Sequence, residues 1–300
     1  MKNYIQKFLE YLEKERKYSN HTIKSYEDDL NQLYVFLSKH FSGVIDLNKI
    51  DNVTIRLFLG EFVESGLTKK SIARKLSSLK SFFRYLTKEK ILVSNPALNI
   101  ATPKVPKKLP TFLDENSIDK MMDLPDQSTI FGLRDKAILE LLYSTGIRLQ
   151  ELISLNLNHI NWKNSTIKVL GKGNKVRIVP FGSKAKEAME RYVSRREELY
   201  SKLTGSDAKN AFFLSNKGLR LYPKGVYNIV SYYIEKVSDI ERKSPHIIRH
   251  TFATHLLNRG ADLKAVKELL GHENLSTTQI YTHLTIDHLK KIYNQAHPKS

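Results

Sequence analysis

The sequence predicts a mainly α-helical protein with one small antiparallel β-sheet, divided into two domains. Three observations predict this. The first hundred residues carry apolar side chains at helical spacing almost throughout, and a proline-rich connector follows them. Beyond it, the stretch NSTIKVLGKGNKVRIVPF alternates apolar and polar residues on both sides of GKGN. Spacings of three and four residues build one face of a helix, whereas alternation about a glycine-rich tip describes a hairpin.

The opening segment, MKNYIQKFLEYLEKERKYS, sets Ile5, Phe8, Leu9 and Leu12 on one helical face. Its acidic residues fit neither a signal peptide nor a transit peptide. The second helix, SNHTIKSYEDDLNQLYVFLSKH, starts with capping residues and continues with Ile23, Tyr26, Leu30, Leu33 and Leu37. A third, VTIRLFLGEFVESG, is stopped by Gly66. In the fourth, LTKKSIARKLSSLKSFFRYLTKEK, Ile72, Leu76, Leu79, Phe83 and Leu86 share one side. Lys69, Lys70, Arg74, Lys75, Lys80 and Arg84 occupy much of the rest, beside Ser71, Ser77, Ser78 and Ser81. Such a face suits solvent, or phosphates lying along the helix.

Four prolines between Asn95 and Leu113 make the connector extended and poorly helical. Residues 99–112 are read as a linker between a helical domain at 1–98 and a second domain at 113–300. In the second domain helices are expected at 114–123, 132–143 and 148–155, then the hairpin, a helix at 183–201, a short strand at AFFLS, and helices to the end.

Forty-nine Lys and Arg against thirty-one Asp and Glu leave a net charge of +18, of which the first hundred residues supply +6 and the remainder +12. An excess spread in this way suits a protein that holds a polyanion along an extended surface. With no cysteine, disulfides, thiolate metal sites and thiol nucleophiles are excluded. No apolar stretch approaches the ~18 residues needed to span a membrane, so a soluble, cytoplasmic protein with no membrane partner is expected.

Four short motifs could carry chemistry. In SPHIIRHTFATHLLNRG, Ser244 suits an N-cap, Pro245 the first helical position and Gly260 the stop. His246 and Arg249 then share a face near a helix N-terminus and could clamp a phosphate, or could simply be satisfied by neighbouring carbonyls. His246 and His250 stand four apart, but without H-E-x-x-H or a thiol a zinc site is not expected. In STGIRLQELISL, Thr145 and Gly146 make a turn and Arg148 opens a helix with Glu151 one turn on, which by itself could be an internal ion pair. Lys172 lies at the hairpin tip, where a lysine is ordinarily just solvated. Finally, DLKAVKELLGHENLSTTQIYTHL has Asp262 as cap, Gly271 as stop, His272 in the turn, a Ser276–Gln279 capping box, and Tyr281 in the following short helix.

Taken in order, TGIRLQEL, GKGNK, HIIRH, LLGH and QIYTH resemble the signature of the tyrosine recombinase (lambda-integrase-like) family, most nearly its Xer branch. The likeness covers nearly the whole chain. It implies a C-shaped DNA clamp of two domains, a helical core-binding domain and an α+β catalytic domain, acting on double-stranded DNA at a specific site. By this resemblance Tyr281 is the nucleophile, Arg148 and Arg249 hold the phosphate oxygens, and Lys172 protonates the 5′-oxygen. His246 and His272 would hydrogen-bond the phosphate, and Glu151 would orient Arg148. The resemblance implies no cofactor, metal or nucleotide. It further implies a tetramer on two sites, either of identical subunits or with a paralogue, with a DNA translocase as a candidate activator. A C-terminal helix at about 285–295 is expected to dock on a neighbouring subunit.

Gln150 departs from the family pattern, in which a small residue commonly precedes the glutamate. At 300 residues the chain is expected to lack an extra arm-binding domain, which favours resolution of chromosome dimers at a dif-like site over a mobile-element integrase. A type IB topoisomerase and a non-catalytic DNA-binding protein are the alternatives from other classes. Replacing Arg249 by Ala is expected to leave folding intact while suppressing cleavage.

Overall fold

A computed structural model describes residues 1–104, 111–171, 176–271 and 296–297. The chain divides into two compact units, Met1–Lys108 and Leu109–Ser300.

The first unit is built from α1 (Lys2–Lys14), α2 (Asn20–His40), α3 (Asn52–Glu64) and α4 (Lys69–Lys88). Short polar side chains start three of these helices. Ser19, Asp51 and Thr68 each accept a hydrogen bond from the backbone N–H three residues on, satisfying a donor that the helix itself leaves open. The core is the apolar face of each helix: Phe8, Leu30, Leu33, Phe58, Leu79, Phe82 and Phe83 are almost fully buried. Each such side chain contributes roughly 1.5–3 kcal/mol relative to exposure.

One of the basic residues of α4 is not where the sequence suggests. Lys75 is buried, its ammonium donating to Asp29 Oδ1 at 3.0 Å and to Gln32 Oε1. Asp29 is itself buried and also accepts from Arg74 Nη2 at 2.9 Å and Ser78 Oγ at 2.8 Å. A carboxylate taken out of water requires such partners, and Lys75 supplies one from inside the helix bundle. Lys75 therefore does not belong among the phosphate contacts. Lys80 is half-buried and donates to the carbonyl of Ile100 at 2.8 Å. Lys69, Lys70, Arg74 and Arg84 are exposed.

The second unit contains α5 (Glu115–Asp123), α6 (Ile130–Thr145), α7 (Leu149–Ile153), β1 (Ile160–Asn161), β2 (Thr166–Leu170), β3 (Val176–Pro180), α8 (Ser183–Arg195), α9 (Ser206–Asn210), α10 (Pro223–Val237), α11 (Pro245–Asn258) and α12 (Leu263–Leu270). Helix α6 is buried on nearly every side and forms the centre of this unit, against α5, α8 and α11. The sheet is antiparallel in the order β1-β2-β3, with Ile167 opposite Val179 and Val169 opposite Arg177. The hairpin expected about GKGN therefore forms, but on β3 the apolar Val176 and Ile178 are exposed while Arg177 and Val179 face inward. Its tip, with Lys172, lies outside the described residues.

AFFLS does not form a strand. Ala211 and Leu214 take part only in isolated bridges, to Asn156 and Arg220. The buried guanidinium of Arg196 donates to the carbonyls of Ala208, Lys209, Ala211 and Phe212, while the Phe212 N–H donates to the carbonyl of Leu155 and the Leu221 N–H to that of Phe213. The apolar run is core, tied by these scattered bonds in place of a continuous ladder.

The expected docking helix at 285–295 lies outside the described residues. Immediately beyond that stretch, Ala296 and His297 are buried in this chain's own second unit, His297 against Tyr143 and Phe252. Among the described residues no helix is long and apolar enough to cross a membrane.

Candidate active site

Two helix ends and one helix start converge in the second unit. Helix α6 stops at Gly146, whose φ of +57° is left-handed. Helix α12 stops at Gly271, with φ of +66°. Glycine reaches this conformation without cost, and it leaves the last carbonyls of each helix pointing outward with the negative end of the helix dipole. Arginines occupy both ends.

Arg249, in the second turn of α11, donates through Nη1 to the carbonyl of Gly146 and through Nη2 to that of Leu270 at 2.7 Å. Arg148, the N-cap of α7, donates through Nη2 to the carbonyl of Gly271 at 2.9 Å. Its Nη1 meets Glu151 Oε1 at 3.0 Å, and its backbone N–H meets Glu151 Oε2 at 2.7 Å. Glu151 thus forms the expected ion pair with Arg148 and, through the backbone N–H, also caps α7. A guanidinium has five N–H donors in a rigid fork, so bonds of this kind orient each arginine and still leave donors for an anion.

A third arginine lies outside the sequence motifs. Arg177 on β3 grips Glu151 with both ends of its fork, Nη1 to Oε1 at 2.6 Å and Nη2 to Oε2 at 2.8 Å. Alternation alone would have set Arg177 on the outer face; in the observed register it shares the inward face with Val179, where a charged side chain needs a partner.

The electrostatics follow from this crowding. Burial would raise the Glu151 carboxyl, but the hydrogen bonds from Arg177 and from the Arg148 backbone outweigh it and hold the group below the ordinary carboxylate range. Arg249 is pushed down to about 10 by burial and by the neighbouring charge of Arg148, with Glu151 opposing and Arg177 adding to the push. It remains a cation at neutral pH, and an anion placed beside it would relieve the penalty.

His246 is exposed in the first turn of α11, one turn before Arg249. Ser244 takes the N-cap position there, but its side chain makes no capping bond, unlike the sequence-based expectation. Lys172, His272 and Tyr281 lie outside the described residues. Of the seven residues expected at the site, the structure therefore describes Arg148, Glu151, His246 and Arg249, and it ties Arg148 to Glu151 directly. Among the described residues no group of three or more His, Cys, Asp or Glu could hold a metal ion.

Residues 111–288 match the phage integrase family, and residues 5–90 match the N-terminal SAM-like domain of phage integrases. Tyrosine recombinase XerC of Anoxybacillus flavithermus is 43% identical over 294 residues, covering 98% of this chain and 97% of that protein. Tyrosine recombinase XerC of Bacillus subtilis is 40% identical over 301 residues, covering 100% and 98%. Among solved structures, XerH site-specific recombinase bound to a palindromic difH substrate in a post-cleavage complex is similar with a TM-score of 0.70 at 25% identity, over 96% of this chain and 83% of that one. A lambda integrase dimer bound to a COC′ core site shares the fold, with a TM-score of 0.66 at 18% identity over 94% and 98%.

Proposed function

This chain belongs to the phage integrase family and is a site-specific tyrosine recombinase of the Xer branch, and from that premise we propose that it resolves chromosome dimers by strand exchange at a dif-like site. The observation that carries strand cleavage is the pair Arg148 and Arg249, each anchored on a helix-terminal carbonyl within one charged cluster, and likeness to XerC proteins and to difH-bound XerH supports a dif-like target. The substrate is double-stranded DNA, and both units contribute positive charge to it.

In this reading the phenolic oxygen of Tyr281 attacks the scissile phosphorus. The bond from phosphorus to the 5′-oxygen breaks, leaving a 3′-phosphotyrosyl bond and a 5′-hydroxyl. Lys172 gives the departing oxygen its proton, and His246 helps to remove the proton of Tyr281. Arg148 and Arg249 hold the non-bridging oxygens and oppose the charge that develops on the pentavalent phosphorus, with hydrogen bonds from His246 and His272. The phosphotyrosyl bond retains the energy of the original linkage, so rejoining needs no nucleotide. Exchange of two duplexes through a Holliday junction requires four subunits, identical or shared with a paralogue. The reaction belongs to the cytoplasm, at the nucleoid.

The test is covalent capture. Protein is mixed in EDTA with nicked, sheared DNA from its host, denatured and digested, and the DNA left on peptide is sequenced. One enriched site, attached through Tyr281 and lost in Tyr281→Phe, is the expected result. Adduct scattered without a preferred sequence would favour a topoisomerase. Normal DNA binding with no adduct in any mixture, including one with added host extract, would overturn strand cleavage.

A further inference from the structure

We infer that Arg177 is a positioning residue for phosphate cleavage, neutralising Glu151 so that Arg148 faces the scissile phosphate with its own charge uncompensated. This rests on the recombinase reading of the same site and adds to it a residue outside the motifs that define that site.

Consider the cluster first without Arg177. Glu151 is buried and bonded to Arg148 through both side chain and backbone. A lone carboxylate so placed would cancel the charge of the arginine it orients. Orientation and charge would be in conflict. With Arg177 present, three guanidinium groups share the field of one carboxylate. Glu151 is then satisfied by a bidentate fork on one side, the strongest form of this bond. Two positive charges remain in excess, matching a phosphodiester that passes from one negative charge to two at the pentavalent stage.

Two observations argue that the contact is specific. Arg177 Nε is buried with no hydrogen-bond partner among the described residues, so this side chain is not placed to satisfy all its donors. It is aimed at Glu151 at the expense of one of them. Its guanidinium also lies against the second helix end, since a Cβ on Gly271 would stand 3.2 Å from Arg177 Cζ. Gly271 supplies the carbonyl that Arg148 holds. One side chain therefore touches both groups that fix Arg148. Moreover, β3 follows directly on the segment that contains Lys172.

A purely structural tie between β3 and α7 is the competing account, and substrate charge separates the two. The experiment measures single-turnover cleavage of the captured site, at saturating protein, with Arg177→Gln, Arg177→Lys and the unsubstituted protein. Each is tested on a normal scissile phosphate and on an uncharged methylphosphonate at the same position. The expected result is a loss of about 100-fold for Arg177→Gln on the phosphate, with DNA affinity changed by less than about threefold. Arg177→Lys, which retains the charge but not the fork, is expected to recover only part of that loss. On the methylphosphonate the penalty of Arg177→Gln largely disappears. An equal penalty on both substrates, or normal cleavage by Arg177→Gln, overturns the inference and leaves the recombinase reading standing. No adduct with the unsubstituted protein overturns both.

Discussion

Glu151 shows how much a single side chain can organise. It caps α7, orients Arg148 and receives Arg177, all while buried. Because its folded pKa lies below the ordinary value of 4.5, it contributes stability that is fully present above that value and lost as pH falls through the folded pKa. Glu151→Gln, which mimics the protonated group, is therefore expected to cost about 1–3 kcal/mol in urea unfolding near pH 7 and progressively less below about pH 4. A cost independent of pH would show that shape, not charge, is what Glu151 supplies. At this scale the sequence revealed residue types better than their partners. Arg148 and Glu151 were legible because three residues separate them on one helix turn. Arg177 was not, because its partner lies 26 residues away and only the strand register brings them together. Lys75 was misread for a related reason: a lysine on a basic helix reads as exposed until a buried Asp29 on another helix claims it. The expectation that Arg249→Ala leaves folding untouched is likewise revised, since its guanidinium ties the ends of α6 and α12 together.

Helix termini, more than helix bodies, build the site. The carbonyls that hold Arg249 and Arg148 are left without helical partners because α6 and α12 each stop on a left-handed glycine. At Gly146 the requirement is double. Its φ is positive, and a Cβ there would stand 2.5 Å from Phe252 Cδ1 and 2.9 Å from Leu270 Cδ2. Gly146→Ala is therefore expected to destabilise the second unit by about 1–3 kcal/mol, through strain and through displacement of the ring and the leucine. Calorimetry should show a lowered transition for that unit, and cleavage should fall further than unfolding alone explains, since the carbonyl under Arg249 moves. An unchanged transition would mean that Phe252 yields at no cost. The turn at Thr145–Gly146 was legible from local sequence, as were the cap Asp262 and the hairpin about GKGN. Local chemistry decides those features within a few residues. AFFLS was not legible, because the partners of its backbone, Leu155, Arg196 and Leu221, lie in other segments.

Across the whole molecule, positive charge has two distinct settings, buried and exposed, which are expected to respond differently to salt. Arg148, Arg177 and Arg249 are concentrated in one cluster of the second unit, where burial and mutual repulsion have already been met by the fold. Lys69, Lys70, Arg74 and Arg84 instead stand exposed on one helix of the first unit, a spread suited to phosphates along a duplex. Exposed cations that touch phosphates release counterions, each contact steepening the salt dependence of affinity by about 0.9 in a log–log plot. Removing Lys69, Lys70 and Arg84 together, each as Ala, is expected to flatten that slope by about 2–3 and to weaken binding alike on specific and unrelated duplexes. Arg74 is left in place because it also serves Asp29. Lys75→Ala should behave in the opposite way. It should leave the slope unchanged, since the Lys75 ammonium is buried against Asp29, and lower stability by about 1–3 kcal/mol, since Asp29 loses a buried partner. Titration of binding against salt, with urea unfolding of the same variants, separates the two classes. If Lys75→Ala flattened the slope while the surface triple did not, the duplex would lie on a different face of this unit, and the division between structural and DNA-facing charge would have to be redrawn.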